Sequence, residues 1–456
     1  MGTTYLALVL SDLHLGEEDS ILMHLDPSRG VHWPYLEALR GYLVSELDLS
    51  EVRYLILLGD ALDLSLARRR RAFPALKAFL EVFQGLVSEG IIYIPGNHDH
   101  HIWVAFQEET QVFCKLRQDR PVEPYYYVLC PYLDPEGIHL PEHHISRPYG
   151  RETFLYHLLP EAARSRDLDL LVAYPHIYLR TEKASALLTH GHFFEETWTL
   201  FTDLLEKPLR EITHLDEITL AKLEQINAPF IEFGWYSLGQ AGELSVLLEK
   251  IWDELHERGA GPITESILQD LRDRLDREIH FPWWEAFKEV FSDLCLDGLV
   301  QGIKKLLEQQ AREKPRSGSS LRHKPEILKE KKTRERIQRY LRLSLPDFPG
   351  MNTLVFGHTH VPFQKRRLSL EEDGSSRTIS CFNTGGWVTD VYRVSHLLRS
   401  RPLVVAFSEE GIRTLEIPWP EKEALAEILP RGRKKPATPE EKERLRRLIR
   451  SQLLRA

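Results

Sequence analysis

Ile92-Tyr93-Ile94-Pro95-Gly96-Asn97-His98-Asp99 is a β-branched and aromatic run that ends abruptly in a turn carrying three polar side chains. A buried strand therefore delivers an amide, an imidazole and a carboxylate to one edge of a sheet. Asn97 offers an amide oxygen to a hard or borderline cation, His98 can donate a proton, and Asp99 can hold the neighbouring imidazole in one orientation. Alone, the same residues are also good turn chemistry. Four companions favour the first reading: Ser11-Asp12-Leu13-His14, Gly59-Asp60-Ala61-Leu62-Asp63, Thr189-His190-Gly191-His192 and Gly357-His358-Thr359-His360, each directly after its own apolar run.

Outward from these blocks, the chain alternates strands with helices. Tyr5 to Leu10 reads as a buried strand that releases Asp12 and His14, and Pro34 to Glu46 as a helix. Tyr54 to Leu58 reads as a second strand ahead of Asp60, followed by a helix from Arg68 through Leu86. Tyr125 to Leu129, Leu170 to Tyr174 and Ala186 to Thr189 are further strand candidates. This pattern predicts a layered α/β architecture with a largely parallel start, in which sites lie beyond the carboxyl ends of the strands. From Phe193 to Pro349 the period becomes helical, around Glu195 to Leu205, Leu220 to Ile226, Leu244 to Leu255 and Ile267 to Leu275, interrupted by a polar loop at Lys314 to Ser320. Strands return at Thr353 to Phe356, Arg377 to Asn383, Leu403 to Phe407 and Arg413 to Ile417. Thr438-Pro439-Glu440-Glu441 then opens a basic helix through Leu454.

The 456 residues exceed a usual single domain, so two lobes or one domain with a large insertion are expected. No apolar run approaches the ~18 to 20 residues that span a bilayer. The first ten residues lack a basic n-region and lead straight into Asp12, so no cleaved signal peptide is expected. Cys114, Cys130, Cys295 and Cys381 are scattered without a Cys-x-x-Cys pair, which argues against a zinc ribbon or disulfide framework and for a reducing cytoplasm. The net charge of -9 gives no general case for nucleic acid. Basic residues nonetheless cluster at Arg68 to Arg71, from Lys304 to Arg342 and beyond Arg431, leaving local nucleic-acid or peripheral membrane contact open.

In order and type, the five blocks resemble the calcineurin-like metallophosphoesterases, whose pattern runs D-x-H, G-D-x-x-D, G-N-H-D/E, H and G-H-x-H. The resemblance covers the first 190 residues or so and the stretch from Asn352 to Pro420. It implies a four-layer αββα sandwich of two mixed sheets with a large helical insertion. The domains expected are a catalytic core in two parts, 1-192 and 351-420, a helical cap at 193-350 and a basic helical tail at 421-456. It also implies two divalent cations, with manganese the first choice and Fe, Zn, Ni or Co as alternatives. Asp12, His14 and His360 would hold one, Asn97, His190 and His358 the other, and Asp60 would bridge them. Phosphoester hydrolysis would follow by attack of a hydroxide bridging the metals, with His98, oriented by Asp99, stabilising the transition state or protonating the leaving oxygen. Asp63 reads as a partner that orients metal-bound imidazoles rather than as a ligand.

Other residues carry two readings each. His192 either faces substrate or hydrogen-bonds beside His190. Asn383, in Asn383-Thr384-Gly385-Gly386-Trp387, either closes the site onto substrate or ends a strand in an ordinary turn. Arg68 either holds a second phosphate or lies on a solvated helix face. His100, His101, His143, His144 and His176 read as ordinary surface or loop histidines. The substrate is left as a phosphodiester, diphosphate or phosphomonoester. A nuclease is one alternative, and an inactive scaffold is the non-enzymatic one. A lipid-linked nucleoside diphosphate pyrophosphatase is another, because two of the motifs resemble the UDP-2,3-diacylglucosamine pyrophosphatase subgroup. The expected location is cytoplasmic, with association at the inner face of the membrane as an alternative.

Overall fold

The computed structural model describes residues 2–122, 127–141, 153–203, 218–240, 327–389, 401–429 and 438–456, less positions 18, 23–24, 27–29, 32–33, 66, 68, 200, 238–239, 349 and 373–374. Apart from a two-stranded ribbon of Leu25–Asp26 and Gly30–Val31, its strands in chain order begin with β1 (Thr3–Leu10), β2 (Leu49–Leu58), β3 (Val87–Ile94), β4 (Tyr132–Asp134), β5 (Gly137–His139) and β6 (Asp169–Val172). There follow β7 (His176–Arg180), β8 (Ser185–Thr189), β9 (Thr353–Phe356), β10 (Phe363–Glu372), β11 (Ser375–Asn383), β12 (Leu403–Ser408) and β13 (Gly411–Glu416). They form two mixed sheets. The first has the order β13-β12-β1-β2-β3-β6 and the second β10-β11-β9-β8-β7-β4-β5. With their flanking helices they make the two-sheet α/β sandwich that the resemblance implies.

The centre of the first sheet is parallel, and every residue from Tyr5 to Leu10 is buried, as befits a strand covered on both faces. Register then sets the site. Leu10 pairs with Leu57 and Leu58 with Ile94, so three strands end level and release Asp12, Asp60 and Asn97 side by side. In the second sheet Thr189 pairs with Phe356 and Phe356 with Asn383, which brings His190, Gly357 and Thr384 to a common edge. The two edges are stitched together by backbone bonds, among them Trp387 N–H to the Asp12 carbonyl (3.1 Å), while Gly357 N–H donates to the His190 carbonyl (3.0 Å).

Helices cover the sheets along faces legible in their sequences. Pro34–Glu46 buries Leu36, Leu39 and Leu43, and Arg69–Phe83 buries Ala72, Ala75, Leu76, Phe79 and Phe83. Pro439–Arg455 starts with a capping box between Thr438 and Glu441 and lays Leu445, Ile449 and Leu453 into the core. The apolar face that would suit a membrane surface is therefore already covered. Among the described residues no helix is long and apolar enough to cross a membrane.

Several elements differ from expectation. The run His176-Ile177-Tyr178-Leu179-Arg180 is an interior strand, and His176 is buried with Nδ1 2.8 Å from the Tyr340 hydroxyl, whereas a loop histidine was expected. Strand β10 was likewise unanticipated. Within Tyr125 to Leu129, the described part shows a single bridge from Leu129 to Tyr174, because Leu129 exchanges both backbone bonds with Tyr174 alone. The Glu195 to Leu205 stretch begins as a tight 3-10 turn over Glu196–Thr199. The helices expected at Leu244 to Leu255 and Ile267 to Leu275, the loop at Lys314 to Ser320, Arg68, His143, His144 and Cys295 lie outside the described residues.

Candidate metal centre

The turns after the strands are built from unusual backbone. Among the described residues nine non-glycine residues have positive φ, and five of them are Asp12 (51°), His14 (45°), Asp60 (48°), His358 (65°) and His360 (56°). Each such residue costs about 1–3 kcal/mol relative to ordinary backbone and persists only where its surroundings over-determine it. Glycine allows the turns to close on one another. A Cβ at Gly96 would sit 2.7 Å from the His190 ring and 2.8 Å from the Asp60 nitrogen.

These turns converge on three groups of side chains, one of which, His14 with Asp63 and His98, overlaps another at His14. Asp12, His14 and His360 each place one ligand-type atom within 4.8 Å of the others, and Asp60, His190 and His358 do the same. Asn97 Oδ1 lies 3.2 Å from His190 Nε2. Asp60 stands between the groups, with Oδ2 3.2 Å from His190 Nε2 and 3.8 Å from His14 Nε2. That oxygen makes no hydrogen bond although it is buried, while Oδ1 accepts from the His98 backbone at 2.8 Å. A buried carboxylate oxygen that has only imidazole nitrogens near it and makes no hydrogen bond is costly unless a cation completes it.

Three of the imidazoles are held through one ring nitrogen. Asp63 Oδ2 engages His14 Nδ1 at 3.0 Å, the Leu58 carbonyl lies 3.3 Å from His190 Nδ1, and Glu195 Oε2 engages His358 Nε2 at 2.7 Å. Each contact fixes one ring nitrogen, the arrangement by which proteins orient metal-ligating histidines. His358 Nδ1 is buried and makes no hydrogen bond, and the Nε2 atoms of His14 and His360 face each other at 3.3 Å. The donor set fits divalent cations bound by oxygen and imidazole.

The electrostatics agree with the geometry. Burial works to raise the Asp60 and Asp63 carboxyls, yet the surrounding imidazoles hold both well below the usual carboxylate range. Asp12 is raised by burial and by the Asp60 charge beside it. Burial works to lower His190, and Asp60 carries it instead to about 9. For Asp12, Asp60 and Asp99 the described partners are imidazoles, hydroxyls and backbone amides, so the pocket holds concentrated negative charge without a lysine or arginine among those partners.

His98 borders this pocket, with its ring centroid 4.9 Å from that of His14. Its Nδ1 meets Ser65 Oγ at 2.6 Å and Asp63 Oδ2 at 3.0 Å. Asp99 does not orient it, contrary to expectation. The Asp99 carboxylate accepts from the backbone of Asp60 (3.2 Å), Leu62 (3.2 Å) and Gly96 (2.6 Å) and from the Tyr93 hydroxyl (2.5 Å). It braces the two turns because its strand-end position points it at their unpaired amides. His192 is fully buried beside His190, its Nε2 3.0 Å from the Tyr174 hydroxyl, and burial holds its pKa well below the usual imidazole value. Asn383 is also fully buried, donating to the Gly357 carbonyl (2.8 Å) and accepting from Gly385 N–H (3.0 Å), so its amide closes the turn rather than meeting substrate.

Two features escape a reading of the sequence. Glu195 is buried against His358, although it lies among the amphipathic residues of the expected cap. The signal for it is the need of each ligand imidazole for a partner on its second nitrogen. His100 is a buried ion-pair centre, with Glu232 at 2.5 Å and Glu224 at 2.7 Å, and not a surface histidine. Its partners lie more than a hundred positions away in the chain, so no local pattern announces it.

Residues 6–227 match the family model described as calcineurin-like phosphoesterase, and this supports placing the chain in that superfamily. The matched span contains four of the five blocks; the fifth, at His358 and His360, is brought to them by the second sheet. No curated protein matches the chain.

Proposed function

We propose that the chain is a di-metal phosphoesterase, with Asp12, His14 and His360 holding one divalent cation, Asn97, His190 and His358 the other, and Asp60 shared. The observation that carries this reading is the Asp60 Oδ2 atom, buried and without a hydrogen bond between the two ligand groups. A bound cation pair supplies a nucleophile from water at neutral pH and neutralises phosphoryl charge. The chain's own residues do the rest. Asp63 fixes His98 through Nδ1, which leaves Nε2 to carry a proton to the leaving oxygen. Among the described residues, His98 and Ser65, 7% and 8% exposed, are more open than the candidate ligands they border, which favours an approach of substrate from their side.

The substrate reading stays at phosphoester, with manganese as the favoured cation. Two arguments for larger partners lose support. The C-terminal helix buries its apolar face, which weakens the case for a lipid-linked diphosphate. In the basic helix Lys331–Ser344, Arg336 and Arg339 pair with Asp203, which weakens the case for a phosphate-backbone track. A helical cap over residues 193-350, leaving the core after His192 and returning before His358, remains our proposal for how substrate is selected.

The test is hydrolysis of an aryl phosphodiester and the matching monoester with added Mn2+, alongside metal content and Asp60→Ala. Two metals per chain and activity lost in the variant are expected. A chain that binds no metal and turns over neither ester would support the scaffold alternative.

A further inference from the structure

We infer that Glu195 is a positioning residue for the second metal site, fixing His358 so that Nδ1 is its ligand atom. The inference rests on the phosphoesterase reading. The His358 ring has two nitrogens in unlike surroundings. Nε2 meets Glu195 Oε2 at 2.7 Å, which occupies it, while Nδ1 is buried without a hydrogen-bond partner, and the residue is one of the group formed with Asp60 and His190. A carboxylate accepts and cannot donate when ionised, so the proton of the neutral ring sits on Nε2 and the lone pair on Nδ1. Without Glu195 either nitrogen could carry the proton, and the ring would lose the contact that sets its angle.

Glu195 itself is rigidly placed. It is 2% exposed, and its backbone N–H donates to the His192 carbonyl at 2.9 Å. The turn it ends, His192–Phe194, packs under Tyr340 of the helix Lys331–Ser344, whose ring lies 6.2 Å from that of Phe193 and 5.5 Å from that of Phe194. The same helix grips the next residues, Arg336 meeting Glu196 at 3.5 Å and Asp203 at 3.3 Å. The chain's departure from the second sheet and its return therefore clamp one another, and the carboxylate between them holds a metal ligand. Occupancy of the second site is thus tied to the docking of these two segments, not to the sheets alone. Neighbouring Glu196 faces out to Lys332 and Arg336 and meets no candidate ligand among its described contacts, and Asp203 holds Arg336 without it.

The experiment titrates Mn2+ into the metal-free full chain for wild type, Glu195→Ala, Glu195→Gln, Glu195→Met and Glu196→Ala, with a thermal melt of each. Wild type and Glu196→Ala should bind two ions alike. Glu195→Ala should keep one ion at wild-type affinity and bind the other about 10–100-fold more weakly, the usual effect of removing such a partner. Glu195→Gln keeps an acceptor oxygen and should recover most of the loss, whereas Glu195→Met, which fills similar space without an acceptor, should not. If Glu195→Ala does not fold, the nitrogen-15 imidazole spectrum of the metal-free wild type decides, because the inference requires His358 protonated at Nε2. Undiminished affinity in a folded Glu195→Ala, or a His358 proton on Nδ1, overturns the positioning role and leaves the phosphoesterase reading standing. A wild type that binds no Mn2+ removes that reading and this inference together.

Discussion

The Asp63 carboxylate stands 3.0 Å from Nδ1 of His98, and the same oxygen lies 3.0 Å from Nδ1 of His14. One buried acid thus orients a candidate ligand and a candidate proton donor at once. Asp63→Ala should weaken metal binding about 10–100-fold, as loss of such orienting partners does, and lower kcat by a further factor from His98. Metal titration followed by kinetics at saturating metal separates the two effects. If kcat at saturation equals that of wild type, Asp63 serves His14 alone.

His98 and its neighbour Asp99 should behave oppositely. His98→Asn removes a proton donor at the open edge of the site, so kcat should fall about 10²–10⁴-fold with metal content and melting temperature nearly unchanged. Asp99→Ala strips three backbone amides and the Tyr93 hydroxyl of their acceptor in a buried region. Leaving even one such group unsatisfied costs about 1–3 kcal/mol, so this variant should lose several kcal/mol in denaturant unfolding. An Asp99→Ala protein of wild-type stability would contradict its role as a brace.

These contrasts mark what the sequence makes legible. The ligand blocks announce themselves because each follows an apolar strand, and parallel strands of matched length must release their loops at one edge. Asp99 misleads because proximity to His98 in sequence suggests contact, whereas the next residue along a tight turn points at different atoms. Asn383 misleads for a similar reason, since a polar side chain at a strand end serves backbone groups as readily as substrate. Glu195, His100 and His176 are invisible locally because their partners lie 163, 124 and 164 positions distant. Only the sandwich brings them together.

His100 gives the pH dependence. Burial works to lower its pKa, but Glu224 and Glu232 carry it to about 10, and Glu232 is held down at about 2 in return. His101 shares Glu232, and the Tyr174 ring lies 5.3 Å from His100 with its hydroxyl held well above its ordinary pKa, so it stays neutral. A histidine raised above its unfolded value of ~6.5 stabilises the fold fully below that pH and loses the contribution as pH rises towards 10. Wild type should therefore lose melting temperature between about pH 6.5 and 10 more steeply than His100→Gln, measured without metal at fixed salt. Parallel curves would show that the Glu224 and Glu232 pairs do not depend on the His100 charge.

The C-terminal helix should act as a clasp on the loop that carries Asp12 and His14. Asp19, further along that loop, meets Lys442 at 2.5 Å and Arg446 at 2.8 Å, and Arg450 Nε donates to the Ile21 carbonyl at 2.9 Å. On the other side, the Asp19 carbonyl accepts from Thr389 N–H at 2.8 Å, and Ile21 N–H donates to the Trp387 carbonyl at 2.8 Å. Ile449, buried in the same interface, should cost about 2–5 kcal/mol when truncated to Ala, because the cavity lies between helix and core. Asp19→Ala should cost less, about 1–2 kcal/mol for a half-screened pair of ion contacts, yet should loosen the metal group that Asp12 and His14 share with His360. Because Leu445, Ile449 and Leu453 are already engaged, the full chain should not float with anionic vesicles at physiological salt. Flotation that disappears when residues 439–456 are removed would mean that the helix leaves the core to bind the membrane. In that case both the clasp and the stability order predicted for Ile449→Ala and Asp19→Ala would fail.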